Sequence, residues 1–417
     1  MNRSVNRSPN RSVDVLVVGA GPAGLAAAAR LAAAGAGRVE VLERDDEAGG
    51  VPRHCAHGGF GAAERRRPVD GPAFARRAVA AAARAGAVVR TGVMATGWAG
   101  PLALDVTAPS GLETITARAV VLATGARERP RSARLVPGSR PAGILTTGEL
   151  QRSVVLHGMR GERLGRRAVV VGAEPVAHHA VRALRRAGLE VAAMVTEEGR
   201  GPLRFAAVSG AALPPLLTGA TVTELLGRGR LAGVGVLHRD GRAGTIRCDT
   251  VVFTGDWIPD HELARSGGLS LDAATRGPTV DGSFRTTAAG VFVAGNALRG
   301  VESAGTAAAE GLAAAEAVLR RLAGDPWPDE GVRMVVERPL RWVTPNRITD
   351  GSPGRPFLLR ADAPLDRPVV RVAQDGRLLH RVTLQGRLWP SRSVRLSSAW
   401  AREVDPAGGP VVVSTGS

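Results

Sequence analysis

The sequence predicts an α/β protein built from two parallel-sheet nucleotide-binding folds, the second inserted in the first, with a small β-rich C-terminal domain. A strand, a glycine-rich turn, a helix and a second strand follow one another near the N-terminus, and the same order returns from residue 167. After residue 331 the chain becomes rich in Val, Leu and Arg with frequent turn signals, which is typical of short strands. At 417 residues it is also too long for one ordinary core.

The first glycine-rich turn, at residues 19–24, is the motif that most strongly indicates a ligand. Residues 13–18 form an apolar run, residues 25–34 an Ala-rich helix closed by Gly35, and residues 39–42 a second strand that ends at Glu43. In such a turn the first glycine permits the sharp bend, the second a close approach of pyrophosphate, and the third close helix packing, while the acidic residue binds a ribose hydroxyl. The predicted dinucleotide-binding residues are Gly19, Gly21, Pro22, Ala23, Gly24, Glu43, Arg44 and Gly50.

The second glycine-rich turn departs from this pattern. Gly172 is kept, but Glu174 stands where the second glycine belongs and Ala177 where the third does. A glutamate there puts a side chain and a negative charge in the path of a pyrophosphate. Two interpretations stay open: NAD(P) bound through Gly172, Glu174 and Ala177, or a fold retained without its nucleotide.

These patterns predict the boundaries of the domains. Residues 1–12 are expected to be a disordered lead-in, and residues 325–331 read as a linker. The Asp375-Gly376 pair between two apolar runs predicts a hairpin in the C-terminal domain, for which we expect an interface role. The predicted domains are 13–150 with 280–325, which form the first Rossmann-like fold, 160–275, which form the second, and 331–417 at the C-terminus.

The amino-acid composition excludes several classes of function and of partner. The net charge is +17, but the charge is spread along the chain and only 3% of residues are aromatic, so we expect no nucleic-acid partner. Every basic residue other than histidine is arginine, and the lack of lysine excludes a Schiff base or a Walker-type phosphate loop. Two cysteines and no long apolar run predict a cytoplasmic protein without disulfides or a membrane span. No His/Cys spacing predicts a metal site.

Two later segments identify a family resemblance. Residues 123–125 read Ala-Thr-Gly at a strand end, and residues 290–296 read Gly-Val-Phe-Val-Ala-Gly-Asn before a small-residue helix over 304–322. The chain here resembles the pyridine nucleotide-disulfide oxidoreductases, the two-dinucleotide-domain flavoproteins related to glutathione reductase and thioredoxin reductase. The resemblance implies FAD in the first fold, with Asn296 replacing the family's aspartate at the ribityl chain. It adds Ala123, Thr124, Gly125, Gly295, Asn296, Gly305 and Thr306 to the predicted FAD site.

Further segments are similar to a narrower group, over about residues 13 to 413. Residues 127–130, 140–151, 254–260 and 342–348 resemble the flavoprotein subunits of opine and hydroxyproline dehydrogenases and of hydrogen cyanide synthase. They also resemble small flavoproteins that accompany glycerol-3-phosphate dehydrogenases. This likeness implies a small-molecule substrate and allows a second dehydrogenase subunit or a homo-oligomer.

The loop over residues 49–61 holds the candidates for catalysis. Cys55 has no near partner cysteine, so a dithiol mechanism is disfavoured. A thiol near an imidazole can be activated or can move a proton, which makes Cys55 and His57 candidate catalytic residues. The alternative is that this loop only covers the flavin.

Three functions therefore stay open at this point. The first is an FAD-dependent oxidoreductase that moves a hydride or electrons between NAD(P)H, or a small amine or hydroxy substrate, and an acceptor. The second is an electron-transfer flavoprotein subunit of a larger dehydrogenase that does not itself bind nicotinamide. The third is a scaffold that keeps only the fold, which the intact first turn disfavours.

Overall fold

The first sheet begins at the N-terminal end of the described chain. The computed structural model describes residues 11–61, 68–197, 213–349 and 354–416. The predicted lead-in lies outside these residues apart from Arg11 and Ser12, which already belong to the first strand. The elements are β1 (Arg11–Val18), α1 (Pro22–Ala33), β2 (Val39–Leu42), α2 (Gly71–Arg84), β3 (Val88–Arg90), β4 (Met94–Gly100), β5 (Ala103–Ala108) and β6 (Gly111–Leu122).

These strands lie in the order β3-β2-β1-β6-β5-β4. β1 runs parallel to β2 and β6, whereas β4 and β5 form an antiparallel meander with the first half of β6. The second half of β1, residues 15–18, is buried on both faces and therefore reads as a continuous apolar run, whereas β2 is buried throughout but contains Glu40.

The second sheet is parallel and belongs to the inserted part of the chain. Its strand order is β11-β10-β9-β15-β8, beside an antiparallel sheet β12-β13-β14, and β7 pairs with β16 where the chain enters and leaves. The elements are β7 (Ala126–Glu128), β8 (Ile144–Thr146), α3 (Thr147–Gln151), β9 (Arg167–Val171), α4 (Pro175–Arg186), β10 (Glu190–Thr196), β11 (Leu216–Thr218), β12 (Ala220–Arg228), β13 (Arg230–His238), β14 (Ala243–Arg247), β15 (Thr250–Phe253), β16 (Trp257–Pro259) and α5 (Glu262–Ser266).

The chain then returns to the first sheet through β17 (Val291–Val293) and α6 (Ala304–Leu322). β17 pairs in parallel with β6, so a strand from beyond the second sheet completes the first one. α6 packs lengthwise on α1 through small residues, with Gly311 against Ala23. The predicted fold class, two Rossmann-like folds with the second inserted in the first, is confirmed.

The C-terminal part is made of strands. Its sheets have the orders β20-β18-β27-β23-β24, β19-β21-β26 and β22-β25. Asp375 and Gly376 both have positive φ between β23 and β24, which confirms the predicted hairpin and its primed turn. The strands are β18 (Val332–Val336), β19 (Leu340–Thr344), β20 (Arg347–Ile348), β21 (Phe357–Ala361), β22 (Leu365–Asp366), β23 (Val369–Gln374), β24 (Arg377–Thr383), β25 (Arg387–Leu388), β26 (Val394–Leu396) and β27 (Val411–Gly416).

Separate apolar cores cover both faces of each parallel sheet, and the C-terminal strands enclose a core of their own. Cys248 belongs to the core beneath the antiparallel sheet and lies between β14 and β15. In the part of the chain that the structure describes, no helix is long and apolar enough to cross a membrane.

Candidate functional site

The first glycine-rich turn forms an open cradle between β1 and α1. Gly19 has φ +105°, and a Cβ there would lie 2.4 Å from the carbonyl oxygen of Ala123. A Cβ on Gly24 would lie 1.9 Å from the oxygen of Gly19, so neither position accepts a side chain. A Cβ on Gly21 would meet nothing within 4 Å, and no side chain caps α1 at Gly21. The start of the helix is therefore free for a phosphate.

Glu43 and Gly50 hold the rim of this cradle. The Glu43 carboxylate accepts hydrogen bonds from the backbone N–H groups of Ala20 (3.1 Å) and Asp45 (3.0 Å), which ties β2 to the turn. A Cβ on Gly50 would lie 2.8 Å from the Cα of Gly21, so only glycine lets the next loop approach this closely. Glu43 thus fixes the turn through the backbone in addition to any contact with a ribose.

The segment after β6 supports the same edge of the cradle. The Thr124 hydroxyl donates to the carbonyl oxygen of Asp260 at 2.6 Å, and Asp260 also pairs with Arg44 at 3.1 Å. Asp260 follows β16, where the chain leaves the second sheet. Sequence reasoning missed Asp260, which is far from Arg44 and Thr124 along the chain.

Asn296 organises the loop that precedes α6. Its Oδ1 accepts from the backbone N–H of Glu302 at 2.8 Å, and its Nδ2 donates to the oxygen of Glu302 at 3.3 Å. An aspartate could only accept, and its oxygen would face the Glu302 carbonyl oxygen. The loop therefore explains why an amide stands here. Ser303 caps α6 through the N–H of Thr306 at 3.1 Å, which leaves Gly305 in the first turn of that helix.

A buried ion pair lies behind Asn296. The Glu310 carboxylate accepts from the N–H of Gly295 at 3.1 Å and pairs with Arg299, which has no exposed surface. Burial raises the pKa of Glu310, and the Arg299 guanidinium opposes that rise. Arg299 also lies over the Trp342 ring at 5.6 Å. The backbone of the loop is thus held by charges that the sequence pattern did not single out.

The C-terminal strands reach the same loop through Arg360 on β21. Its guanidinium also lies over the Trp342 ring, at 4.9 Å, and pairs with Glu302 at 2.6 Å. It also donates to the carbonyl oxygen of Val301 at 2.9 Å. The backbone of Glu302 is hydrogen-bonded to Asn296. The C-terminal part of the chain therefore reaches the predicted FAD site through the Arg360–Glu302 ion pair and these hydrogen bonds.

The second glycine-rich turn is closed by its own glutamate. The Glu174 Oε2 accepts from the N–H of Ala173 at 3.1 Å, and a Cβ on Gly255 would lie 3.0 Å from Oε1. Burial raises the pKa of Glu174. Gly172 has φ +135°, and Ala177 is fully buried against the sheet. A carboxylate therefore lies at the backbone where the pattern expects a pyrophosphate.

Arg134 and Glu128, on neighbouring segments, contribute to the electrostatics around Glu174. Arg134 donates to the carbonyl oxygens of Thr254 (3.1 Å) and Gly255 (2.7 Å). Burial first, and to a smaller degree the charge of Glu174, raises the pKa of Glu128 to about 7. The residues of the second turn do not fit a bound dinucleotide. The Glu174 side chain fills the space where a pyrophosphate would lie, and it already accepts the backbone N–H of Ala173.

The loop over residues 51–61 contacts the second fold. His57 stacks on His179 of α4 with ring centroids 3.6 Å apart and an angle of 7° between planes. The Cys55 thiol is buried and donates to Gln151 Oε1 at 3.5 Å. Burial raises its pKa to about 12, so a thiolate is disfavoured at neutral pH. Of the two predicted catalytic residues, only His57 is partly exposed, and its imidazole could move a proton.

The comparisons with known proteins agree with this geometry. The model of the pyridine nucleotide-disulphide oxidoreductase family matches residues 13–311, which is well over half of the chain. The chain belongs to this family. A subunit of the opine oxidase of Agrobacterium tumefaciens is 28% identical over 74% of this chain and 66% of its own length. The sarcosine oxidase alpha subunit of Rhizobium meliloti is 28% identical over 76% of this chain and 31% of its own.

Solved structures of the family share the fold. Thioredoxin reductase of T. acidophilum superposes with a TM-score of 0.62 at 22% identity, over 76% of this chain and all of that one. L-Proline dehydrogenase of P. horikoshii gives 0.59 at 19% identity, over 78% of this chain and 58% of that one. The chain spans just under two thirds of the length of the opine oxidase relative, but only about a third of the sarcosine oxidase relative.

The protein is thus an FAD-dependent oxidoreductase of this family. The open cradle at Gly21, the uncapped start of α1 and the small residues at Gly295 fit FAD in the first fold. A Cβ on Gly295 would lie 2.7 Å from that of Ala23, which brings the Asn296 loop against the cradle. The individual FAD contacts stay predictions, as do the catalytic ones.

Stability should fall in acid because His54 is buried as a neutral ring. It is 7% exposed, and burial together with Arg152 and Arg53 lowers its pKa to about 4. Between pH 6.5 and 4 the unfolded chain therefore binds a proton that the folded chain does not, so stability is full above pH 6.5 and falls below it. We expect the protonation of His54 to lower the free energy of unfolding by about 3 kcal/mol over this pH range, and urea unfolding measures this change. His54→Gln should make the profile shallower but not flat, because burial also lowers the pKa of His179 to about 4, whereas exposed His157→Gln should leave the slope unchanged.

Proposed function

We propose that this chain is the FAD-carrying electron-transfer subunit of a dehydrogenase or oxidase that acts on a small amine or hydroxy substrate. In this proposal its second fold does not bind NAD(P). The observation that carries the proposal is the Glu174 carboxylate, which accepts the N–H of Ala173 and packs on Gly255. A dinucleotide would have to displace that carboxyl group from the Ala173 N–H and from its contact with Gly255 before its phosphates could reach the turn, which is unfavourable.

The relatives support the same conclusion. The opine oxidase and sarcosine oxidase relatives are by name subunits of larger enzymes, and this chain covers only part of each. A second subunit that oxidises the substrate, or another copy of this chain, is the partner we propose.

In this scheme the residues of the chain bind and orient the cofactor. Bound FAD supplies the capacity to accept two electrons and release them to an acceptor. Gly21 and the start of α1 would hold the pyrophosphate, Glu43 the ribose, and Asn296 and the α6 N-terminus the flavin side. His57 is the side chain of the loop that we propose for proton transfer.

An anaerobic titration tests the proposal. NADH and then NADPH are added to the yellow protein while the flavin absorbance is followed, with dithionite as the control that the flavin can be reduced. We expect dithionite to bleach the flavin and neither nicotinamide to do so. Bleaching at near-stoichiometric NADH or NADPH would show that the second fold works despite Glu174, and the protein would be a nicotinamide-dependent reductase.

A variant isolates the role of the glutamate. Glu174→Gly restores the usual second glycine and removes the carboxylate from the turn. If the carboxylate is the obstacle, this variant should bind NADH measurably in a fluorescence titration where the parent does not. Equal binding by parent and variant would contradict the assignment to Glu174.

A further inference from the structure

A cavity of about 240 Å³ lies between the 51–61 loop and α4. Its lining contains no aspartate or glutamate among the residues that the structure describes. The polar wall is formed by the rings of His54, His57 and His179, by Gln151 and by three arginines. The cavity lies between the first fold and the second. None of its lining residues belongs to either glycine-rich turn.

The three arginines of the wall are Arg160, Arg182 and Arg186. Within the described residues none of them has an acidic partner, although Arg160 and Arg186 donate to backbone carbonyl oxygens. Neighbouring Arg53 and Arg152, by contrast, both pair with Asp45. The wall therefore carries three positive charges that no carboxylate of the described chain neutralises.

The histidines of the wall add little charge at neutral pH. Burial, with smaller contributions from nearby positive charges, lowers the pKa of His54 and of His179 to about 4. The pKa of His57 is also lowered, by burial first. The positive charge at neutral pH thus comes from the arginines, while the neutral rings can donate or accept hydrogen bonds.

The remaining wall is aliphatic. It consists of Ala56, Val154, Val155 and Ala183, on the loop, the turn after α3 and α4. At about 30 Å³ for the share of one water molecule, the cavity has room for roughly eight non-hydrogen atoms. A short aliphatic chain with an anionic group at each end matches this size, this charge and these apolar surfaces.

We propose that this interdomain pocket binds a small aliphatic dicarboxylate. Arg182 and Arg186 are one turn apart on one face of α4, so they can bind one carboxylate together. Arg160, from the segment before β9, is placed to bind the other. The ligand would touch both folds, and its site includes His57, the side chain that we propose above for proton transfer.

Calorimetric titration of the FAD-loaded protein tests the proposal. Succinate, glutarate and adipate are titrated at constant ionic strength set with chloride, beside uncharged glutaramide and inorganic phosphate. We expect saturable binding of at least one dicarboxylate and none of glutaramide. No saturable binding of any dicarboxylate would overturn the proposal, as would binding of phosphate alone.

Three variants assign the site, two in the pocket and one control outside it. Arg182→Gln should weaken dicarboxylate binding by about tenfold or more, since it removes a charged hydrogen-bond donor. Arg185→Gln makes the same change on the exposed side of α4 outside the pocket and should leave binding unchanged. Arg186→Gln, at an exposed position, repeats the test should Arg182→Gln fold poorly. Equal effects of the pocket and control variants would overturn the proposal. The readout is heat of binding, so its outcome does not depend on the nicotinamide titration.

Discussion

Replacing Glu310 with alanine should lower the free energy of unfolding by about 3–5 kcal/mol and release the flavin. The substitution leaves Arg299 fully buried without its counter-charge, against the face of Trp342. It also removes the acceptor of the Gly295 N–H, in the segment that places Asn296. Urea unfolding measures the first effect, and the absorbance of FAD retained after gel filtration measures the second.

Glu316 offers a matched control on the same helix. It pairs with Arg30 at 2.6 Å, but both side chains are about 40% exposed, so Glu316→Ala should cost no more than about 1 kcal/mol. Replacing both charges, as Arg299→Met with Glu310→Leu, should recover much of the lost stability because no buried charge is left alone. If Glu310→Ala behaved like Glu316→Ala, the buried pair would not have the role assigned to it.

The second large effect is expected from Gly311→Ala. A Cβ at this position would lie 2.0 Å from the carbonyl oxygen of Ala23, on the first turn of α1, and backbone cannot yield as a flexible side chain does. α1 and α6 must then separate, at a cost of about 3 kcal/mol or more, and the cradle at Gly21 shifts with α1. We expect a lower melting temperature and an FAD affinity reduced by at least about tenfold.

The neighbouring residue provides the comparison. Leu312 is 46% exposed, so Leu312→Ala changes a half-exposed side chain of α6 without adding a Cβ against the backbone of α1. This variant should keep both its flavin and nearly all its stability. Unchanged FAD affinity in Gly311→Ala would mean that the two helices can adjust without moving the cradle.

Local signals were sufficient to predict much of the fold. The helix over 304–322, the strand over 39–42 and the hairpin at Asp375-Gly376 all have the predicted bounds, because period, capping and turn chemistry lie within a few residues of each element. The first glycine-rich turn is equally local. Gly24 is required by a contact to the turn itself and Gly19 by one to the residue after β6, whereas Gly21 leaves open space for a ligand.

The parts of the site that escaped prediction depend on residues distant in sequence. Nothing in the pattern around Arg299 indicates that Trp342 and Glu310 will enclose it, and nothing around His57 indicates the stack on His179. The cavity itself follows from how one fold is set against the other. Glu174 is an intermediate case: the sequence shows a misplaced charge, while its hydrogen bond to Ala173 appears only in three dimensions.

The thiol of Cys55 shows how burial changes an expectation. An imidazole two residues away suggested activation, yet burial, with the charge of Glu128, stabilises the protonated thiol. Its contact with Gln151 makes it a packing residue between the loop and α3. The spacing of residues along the chain could not reveal this, since the cause is the environment.

The late return of β17 also decides the order in which this protein can fold during its synthesis. The edge of β6 that β17 covers, and the face of α1 that α6 covers, stay without their partners until the whole second sheet has been made. Closing so long a loop is slow, whereas the strands and helix of the insert meet over short distances. The inserted fold can therefore be complete while the flavin-binding fold is still open, and the nascent chain exposes an apolar parallel edge from the completion of β6 until β17 has been made.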